Sequence, residues 1–413
     1  MSFLDLYSNL KEHFNTVDPI IDINGHDVRV TNHPFISDTS RAFPEGDEYS
    51  ELNPLVKALM KYYLSQNEFS DRYLMKRLNT PDSTVEENNS FTFSMMSDEK
   101  AANSDTAILL LHGLNERGWE KYLPWAHRLV KLTGQPVILF PHAFHMHRAP
   151  KCWSDFRLMK EISNERKVLL PAVEMSSPIN VAISSRLQFV PQRFVYSGLQ
   201  TIYDITKLAQ MAQEGEIAGL KPGTKLNIFG YSIGAFIAQI VMMSNPLGLF
   251  NSSKCVLFCG GTTLDRMEPT NKYILDSEAA GALKDFYVHR LEQNLATDDR
   301  LRALFSPDAG ETFLFKSMLS HDAGLIARKR HLAKIRDRIC GIALDKDLVM
   351  PPWAIGEALA SDHPREISFD TVDLDYDYTH ENPFPILTKI RDKVDDGFSA
   401  VFSKAASFFN GAE

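Results

Sequence analysis

Five short apolar runs, each of strand length, set the strongest limit on how this chain can fold. In chain order they are TAILLLHG, PVILFPH, KLNIFG, KCVLFCGG and RICGIALD, starting at residues 106, 136, 225, 254 and 338. Uninterrupted apolar strands are typical of a parallel sheet that is buried on both faces. Segments with helical spacing of apolar residues lie between them, and this alternation indicates βαβ units. We therefore expect an α/β fold with a doubly wound, mostly parallel sheet.

Composition and charge describe an ordinary globular protein. The chain has 413 residues, of which 44% are hydrophobic and 23% charged. This balance excludes the disordered and collagen-like classes. Lys and Arg number 44 against 53 Asp and Glu, so the net charge is −9. That sign is wrong for a protein that grips phosphate backbones, and we expect no nucleic-acid partner.

Cysteine usage and the first residues bear on location. The four cysteines form no C-x-x-C pair and are too few for a disulfide framework, which favours a reducing compartment and a cytoplasmic protein. The opening MSFLDLYSNLKEHFNTVD mixes charged and apolar residues, so it lacks the apolar core of a signal peptide. Residues 226–253 carry no charge, but polar residues, glycine and proline interrupt them. We expect no stable membrane insertion.

The order of these signals divides the chain. Clear strand and helix patterns begin near residue 89, so we separate an N-terminal extension, 1–98, from a main domain, 99–413. Segments 148–190 and 266–336 break the strand–helix alternation, and the second is mainly helical in pattern. Loops at the carboxyl ends of strands carry the ligand sites of such folds. We therefore expect both segments to be insertions that form a helical cap over the active site.

The most informative motif is G-x-S-x-G, formed by Gly230, Ser232 and Gly234 between the strand LNIF and a helix that begins near Ala235. A serine at such a strained turn is exposed at the edge of the sheet, beside a helix N-terminus that favours negative charge. A side chain at either glycine would collide with neighbouring backbone. The alternative is a tight glycine turn with an incidental serine, and the strand–turn–helix context favours a nucleophile.

With this G-x-S-x-G motif, the chain resembles the α/β-hydrolase superfamily over about residues 90–405. It resembles specifically the serine esterases, lipases and acylpeptidase-like members. The resemblance implies a catalytic triad in the chain order nucleophile, acid, histidine. It makes Ser232 the nucleophile and requires no cofactor. It also implies that the acid follows one strand and that the histidine follows the last strand, with a helix and that strand between them.

Only two histidines, His363 and His380, lie beyond both Ser232 and the strand IRDRICGIALD. PPWAIGEALAS is predicted to be the intervening helix and REISFDTVDL the last strand, so His363, in the link between them, comes too early. His380, in DYTHENPFP, follows the last strand. It is the expected general base, which takes the serine proton and returns it to the leaving group. A loop histidine without a partner is the alternative.

Three carboxylates compete for the role of the acid. Asp347, in ALDKDLVMPP, has Pro351 four residues later and resembles the superfamily's G-x-x-D-x-x-V-P loop, although Leu344 stands where glycine is usual. Asp345 lies closer to the strand itself. Asp265 matches the position that some lipases use, one strand earlier. We favour Asp347, and the other two stay open.

A tetrahedral intermediate needs backbone N–H groups directed at its oxygen. Ile233, directly after the serine, supplies one by position. The resemblance implies that the second belongs to Leu114, because His112 and Gly113 resemble the superfamily's HG pair. His112 would then orient that loop.

Three histidines within six residues, His142, His145 and His147, invite a metal interpretation. No cysteine or carboxylate follows them with ligand spacing, so we expect neither a metal nor a cofactor.

The sequence thus predicts a serine hydrolase that cleaves a carboxylic ester or a related acyl bond through an acyl-enzyme. The expected partner is a small-molecule acyl substrate with an apolar group, because the second insertion is rich in large apolar residues. These residues either line an acyl pocket or form the core of the cap. An acyltransferase, a thioesterase or a peptidase would use the same triad, and a non-catalytic binding protein of this fold is a further alternative. The apolar residues in question are Phe286, Tyr287, Phe305, Phe313, Leu314, Phe315 and Met318.

Overall fold

The computed structural model describes residues 2–23, 25–38, 78, 80–98, 104–361 and 366–411. In these residues, nine strands form one sheet in the order β1-β2-β3-β5-β4-β6-β7-β8-β9. The strands are β1 (Ile20–Ile23), β2 (Val28–Ile36), β3 (Ser90–Asp98), β4 (Ser104–Leu111), β5 (Val137–Leu139), β6 (Leu220–Tyr231), β7 (Cys255–Phe258), β8 (Ile339–Leu344) and β9 (Ser368–Val372).

The sheet is parallel from β5 to β9 and antiparallel at its other edge. β4 pairs in parallel with β5 and β6, and β7, β8 and β9 continue the parallel order. β2 pairs antiparallel with β1 and with β3, and β3 pairs antiparallel with β5. All five apolar runs of the sequence are strands of this sheet. The predicted doubly wound, mostly parallel sheet is confirmed.

The described part of the predicted N-terminal extension, 1–98, contributes the strands β1, β2 and β3 to the sheet. β2 pairs with β3 over its whole length, from Val28 opposite Asp98 to Ile36 opposite Ser90. The sequence DVRVTN, residues 27–32, is typical of a strand, whereas the polar residues and the proline that follow weaken the alternation in the rest of β2. The sheet therefore does not begin at residue 99.

Helices cover both faces of the sheet. They are α1 (Phe3–His13), α2 (Glu86–Asn89), α3 (Leu123–Thr133), α4 (Phe156–Leu169), α5 (Val181–Phe189), α6 (Arg193–Glu214), α7 (Ile233–Ser244), α8 (Ser277–Lys284), α9 (Leu291–Thr297), α10 (Asp299–Phe305), α11 (Gly310–Ser317), α12 (His321–Ile335), α13 (Pro352–Leu359) and α14 (Arg391–Asn410).

Alternate residues of the central strands feed two separate cores, because successive side chains of a strand point to opposite faces. Leu109 and Ile228 belong to the core that α6 and α7 close. Their chain neighbours Ile108 and Phe229 belong to the core that α1, α3 and α14 close. Every one of these four side chains is fully buried. The strands therefore need to be apolar on both faces, which explains the uninterrupted runs in the sequence.

The two predicted insertions pack against each other. Segment 148–190 contains α4 and α5, and segment 266–336 contains α8 to α12. The buried guanidinium of Arg166 on α4 forms two bonds, of 2.6 and 3.0 Å, to the carboxylate of Asp276, the residue before α8. In the second segment, α11 and α12 pack on α7. The two insertions are thus joined to each other, and the second packs on the helix that follows Ser232.

The helices of the structure bear on whether the uncharged stretch 226–253 could span a membrane. Among the helices of the described ranges, none combines the length and the apolarity that crossing a bilayer requires. The uncharged stretch 226–253 consists mainly of the end of β6 and the helix α7, which are both buried in the cores of the fold.

Candidate active site

Ser232 lies at the turn between β6, which ends at Tyr231, and α7, which begins at Ile233. Its backbone has φ 57° and ψ −121°, a conformation that L-residues rarely adopt. The amide of Ser232 donates to the carbonyl of Phe258 at the end of β7, over 3.1 Å. Pairing with the neighbouring strand therefore fixes the strained turn, as the G-x-S-x-G motif predicts.

The two glycines of the motif make room for close backbone contacts. A Cβ at Gly234 would lie 2.4 Å from the carbonyl oxygen of Leu111, and one at Gly230 would lie 2.7 Å from the Cα of Ala235. Real Cβ atoms do not approach backbone so closely, so larger residues would push the turn away from β4. The motif thus sets the distance between Ser232 and the loop that follows β4.

The structure brings Ser232, His380 and Asp347 together in one line of hydrogen bonds. Nε2 of His380 lies 2.7 Å from Oγ of Ser232, and Nδ1 of His380 lies 2.7 Å from Oδ2 of Asp347. Because a carboxylate only accepts, Nδ1 carries the ring proton and Nε2 accepts from the serine hydroxyl. The three residues are 2–5% exposed. Such a line can transfer the serine proton to the imidazole with little reorganisation.

The carboxylate of Asp347 is held by its own loop. Its Oδ1 accepts from the amides of Val349 and Met350, each over 2.9 Å. These two bonds leave Oδ2 directed at His380. The turn after β8 therefore orients the acid, and the acid orients the ring.

The alternatives from the sequence lie elsewhere. Asp345 is exposed at the end of β8. The Oδ2 atom of Asp265 accepts from the amide of His321 at the start of α12, over 2.8 Å. His363 lies outside the described residues. Of the weighed acids, Asp347 is the one that the structure places on the ring of His380.

The two expected oxyanion donors, Leu114 and Ile233, line the same cavity, whose empty space of about 380 Å³ includes a part open to solvent. Within the part of the chain that the structure describes, the amides of these residues form no hydrogen bond. The amide of Ile233 is free because it belongs to the first turn of a helix. The cavity thus has two unused backbone donors in its wall, beside the serine.

His112 orients the loop that carries Leu114. Its Nε2 accepts from the amide of His142 over 2.9 Å, so Nδ1 carries the proton and donates to the carbonyl of Gly113 over 2.8 Å. That carbonyl belongs to the same peptide unit as the amide of Leu114, whose direction is thereby fixed. Burial lowers the pKa of His112 well below its ordinary value, so the ring is neutral.

The three clustered histidines of the sequence point to separate backbone groups. Burial, followed by the neighbouring His145, lowers the pKa of His142 to about 3. Burial lowers the pKa of His145 to about 4. Across the described ranges, no three potential ligands gather in a way that could hold a metal ion. The rings donate to carbonyls over 3.0, 2.8 and 2.7 Å, which join His142 to His112, His145 to Ala143 and His147 to Thr92.

The cavity at the candidate site is mainly apolar. A second cavity shares several wall residues with it, including Leu114 and Phe194. Of the large apolar residues in the second insertion, Phe315 lines the first cavity, whereas Phe305 and Met318 are buried in the core. The remaining residues of the first cavity's wall are His142, Ala143, His145, Phe194, Ser197, Gly198, Thr201, Phe236 and Ile237.

Asn115 joins the loop after β4 to both insertions. Its Nδ2 donates to the carbonyl of Ile179 over 2.9 Å and to the carbonyl of Tyr273 over 2.8 Å. Its φ of 62° places it in the left-handed region, which asparagine tolerates better than most residues. The residue after Leu114 therefore contacts both halves of the expected cap.

Several residues beside the site are absent from the sequence prediction. The phenol of Tyr231 donates to the backbone carbonyl of His380, and the two rings are stacked at 5.5 Å. Glu116, Lys121 and Tyr122 lie between the loop after β4 and the loop of His380. Tyr231 is the variable residue of the G-x-S-x-G motif, and no spacing in the sequence distinguishes any of the four.

Comparisons with known proteins give a family and several similar folds. Residues 1–410 match the model of DUF6051, which is described as a family of unknown function. None of the curated proteins matches the sequence. Among solved structures, the chain is similar to carboxyl esterase 2 of the mycorrhizal fungus Tuber melanosporum, with 12% identity, coverage of 78% of this chain and 81% of that chain, and a TM-score of 0.43.

Two further esterases give similar values. A thermostable esterase from Pseudomonas putida is 11% identical, with coverage of 78% of this chain and 79% of that chain and a TM-score of 0.41. An esterase from Pyrobaculum calidifontis is 14% identical, with coverage of 87% and 92% and a TM-score of 0.40.

Proposed function

The chain belongs to DUF6051, a family of unknown function, and we propose that it is a serine hydrolase that cleaves a carboxylic ester or a related acyl bond. The observation that carries this proposal is the unbroken line from Asp347 through His380 to Ser232, with both distances at 2.7 Å. The strained turn that presents the serine beside a cavity supports the same conclusion. Ser232 is the nucleophile, His380 the base and Asp347 its orienting acid.

The first half-reaction forms an acyl-enzyme. Oγ of Ser232 attacks the acyl carbon while Nε2 of His380 takes its proton, and Asp347 stabilises the resulting imidazolium. The electron pair of the carbonyl moves to its oxygen, and the amides of Leu114 and Ile233 stabilise the oxyanion. One such donor contributes about 3 to 4 kcal/mol in related chemistry. When the intermediate collapses, His380 gives its proton to the leaving alcohol.

The second half-reaction releases the acid. Water attacks the acyl carbon and gives a proton to Nε2 of His380. The bond from Ser232 to the acyl group then breaks, and the proton returns to the serine oxygen. No cofactor enters either step, because serine, histidine and two amides supply every charge and proton that the reaction needs.

The apolar wall beside the site supports a substrate with an apolar acyl group. Phe194, Phe236 and Phe315 surround the cavity that contains Leu114 and Ile233. Burial of an apolar chain against such rings contributes about 25 cal/mol for each Å² removed from water. The cap formed by both insertions would close over this cavity. The location proposed with this function is the cytoplasm, in keeping with a sequence whose four cysteines form no C-x-x-C pair.

A fluorophosphonate probe tests the proposal. We expect the purified protein to be labelled at Ser232, as read by peptide mapping, and labelling to disappear in Ser232→Ala and His380→Ala. Ser244→Ala is the matched control, because this serine ends the same helix and donates only to backbone carbonyls. Absence of label from folded wild-type protein would refute the proposed nucleophile.

A product assay tests the choice between hydrolysis and acyl transfer. A short-chain 4-nitrophenyl ester is offered with water alone and with added alcohol acceptors. We expect the free acid as the main product in both cases. A product that is mainly the new ester would assign the same triad to an acyltransferase instead.

A further inference from the structure

The loop that carries Leu114 and the loop that carries His380 are both tied to one carboxylate, that of Glu116. Oε1 of Glu116 accepts from the hydroxyl of Tyr122 over 2.7 Å and forms an ion pair with Nζ of Lys121. None of these three residues is part of the proposed triad or oxyanion site. They occupy the loop after β4 and the approach to α3.

Tyr122 connects Glu116 to the oxyanion loop. Its hydroxyl accepts from the amide of Gly113 over 2.9 Å while it donates to Glu116. Burial, followed by the nearby charge of Glu116, raises the pKa of Tyr122 well above its ordinary value, so the phenol keeps its proton. The amide of Gly113 and its carbonyl, which His112 holds, are then both fixed. Leu114 follows directly, with its amide left for the substrate.

Lys121 connects Glu116 to the histidine loop. Its Nζ donates to the carbonyl of Glu381, the residue after His380, over 3.2 Å. The same ammonium lies 4.8 Å from the centre of the ring of Tyr231, which stacks on His380 and donates to its carbonyl. An ammonium over a ring face is attracted to it, so Lys121 also holds Tyr231 in place.

We infer that Glu116 is a positioning residue for the proposed hydrolase, holding the oxyanion loop through Tyr122 and the loop of His380 through Lys121. The inference rests on the proposed function, because it assigns a catalytic purpose to both loops. Its physical basis is that the base and the oxyanion donors must act on one substrate carbonyl at the same time. A displacement of about 1 Å between such groups can lower a rate by about 100-fold. A single charged anchor for both loops fixes their relative position.

The first test replaces Glu116 by Gln, which keeps the size of the side chain and an acceptor for Tyr122 but removes the charge that holds Lys121. We expect kcat for a 4-nitrophenyl ester to fall roughly 10- to 100-fold, with KM changed less than about twofold, because transition-state alignment is lost and ground-state binding is kept. The rate of fluorophosphonate labelling at Ser232 should fall in parallel.

The second test asks whether both arms act through the same carboxylate. Tyr122→Phe and Lys121→Met should each lower kcat in the wild-type background. In a Glu116→Gln background, we expect Lys121→Met to produce almost no further loss, because its partner charge is already gone. Full additivity of the two losses would show that Lys121 acts independently of Glu116 and would overturn the inference.

Tyr287→Phe is the matched control for loss of a buried hydroxyl. Its phenol donates to the carbonyl of Pro191 over 3.1 Å, and its ring is buried in the core and lines neither of the two cavities described above. We expect this variant to lose some thermal stability and to keep kcat, whereas Tyr122→Phe loses kcat. Equal kcat losses in the two variants would indicate a general structural effect and refute the positioning role.

The outcomes separate this inference from the proposed function. If wild-type protein is labelled at Ser232 but Glu116→Gln has wild-type kcat and labelling rate, the inference alone is wrong. If wild-type protein is neither labelled nor active, the proposed function fails and the inference fails with it. Should Glu116→Gln not fold, Lys121→Met carries the same test, since it removes the contact with Glu381 and keeps the bond from Tyr122 to Glu116.

Discussion

Asp347 and His380 are joined by a 2.7 Å bond between Oδ2 and Nδ1, although 33 residues separate them in the chain. The competing carboxylate, Asp265, is occupied by the amide of His321. The turn amides that bind the other oxygen of Asp347 leave it little freedom to rotate. The acid of the proposed triad is therefore fixed from both sides.

This relationship predicts different outcomes for two similar substitutions. Asp347→Asn should lower kcat by about 10³- to 10⁴-fold, because an amide opposite Nδ1 favours the wrong tautomer of His380. Asp265→Asn, the matched control, should change kcat less than about threefold. Steady-state kinetics with a 4-nitrophenyl ester, with circular dichroism to verify folding, measures both. The reverse order of effects would mean that Asp265 is the acid.

The strained backbone of Ser232 predicts that glycine is more stable than alanine at this position. With φ at 57° and ψ at −121°, a residue with a Cβ is strained by about 1 to 3 kcal/mol. Glycine adopts this region freely but loses about 0.5 to 1 kcal/mol through chain entropy. Ser232→Gly should therefore be about 1 kcal/mol more stable than Ser232→Ala, and both should be inactive.

Urea unfolding of the two variants measures the difference, with Ser244→Gly against Ser244→Ala as the control pair. Ser244 has helical backbone near the end of α7, so there glycine should be the less stable residue. If glycine were less stable than alanine at both positions, the backbone of Ser232 would not be strained.

The central sheet was predictable because each of its strands must be apolar on both faces. Leu109 and Ile108 are buried in different cores, and this requirement leaves a plain signal in the sequence. β2 leaves no such signal, since its pairing with β3 depends on backbone groups and tolerates Asn32, His33 and Pro34. Within the N-terminal segment, β3 has a recognisable alternation, whereas the full length of β2 is evident only from its pairing with β3.

The residues of the candidate site also differ in how far the sequence predicts them. Ser232 and His380 were predictable because the turn and the chain order restrict them, and Asp347 could be favoured but not separated from its rivals. Glu116 and Lys121 could not be found, because their roles depend on distances between loops that are far apart in the chain. A long-range hydrogen bond has no local sequence signature, whereas a strained turn does.

Buried neutral histidines predict a loss of stability in mild acid. The pKa of His142 falls to about 3 and that of His145 to about 4, in each case chiefly because of burial. In the unfolded chain, histidine titrates near pH 6.5. Below that pH the unfolded state binds more protons than the folded state, so stability falls as the pH falls from 6.5 toward 4. Each histidine contributes about 1.4 kcal/mol per pH unit in that window.

Urea unfolding at pH 7.5, 6.0 and 5.0 measures this dependence. His145→Asn keeps a donor for the carbonyl of Ala143 and removes the titrating ring. The variant should lose stability less steeply between pH 6.0 and 5.0. We expect its slope to be smaller by about 1.4 kcal/mol per pH unit, the contribution of one titrating histidine. An unchanged slope would mean that His145 does not stay neutral in the folded protein.

The final prediction concerns the buried pair that joins the two insertions, Arg166 and Asp276. Both side chains are at most 1% exposed, and the carboxylate also accepts from the amide of Ala279 at the start of α8. Asp276→Ala would leave a buried guanidinium without its partner, so we expect a loss of about 3 to 5 kcal/mol in urea unfolding. Glu268→Ala removes an exposed partner of Lys284 and should cost less than about 1 kcal/mol.

The double variant Arg166→Met/Asp276→Leu separates charge from packing. If the cost of Asp276→Ala comes from the unpaired charge, replacing both partners by apolar residues should recover much of the lost stability. Equal losses in the single and double variants would instead assign the cost to the lost hydrogen bond between Asp276 and the amide of Ala279 at the start of α8. Asn115, the residue after Leu114, donates to carbonyls of both insertions. Loss of the Arg166–Asp276 pair should therefore also lower kcat. Ester hydrolysis measured below the unfolding transition tests that link.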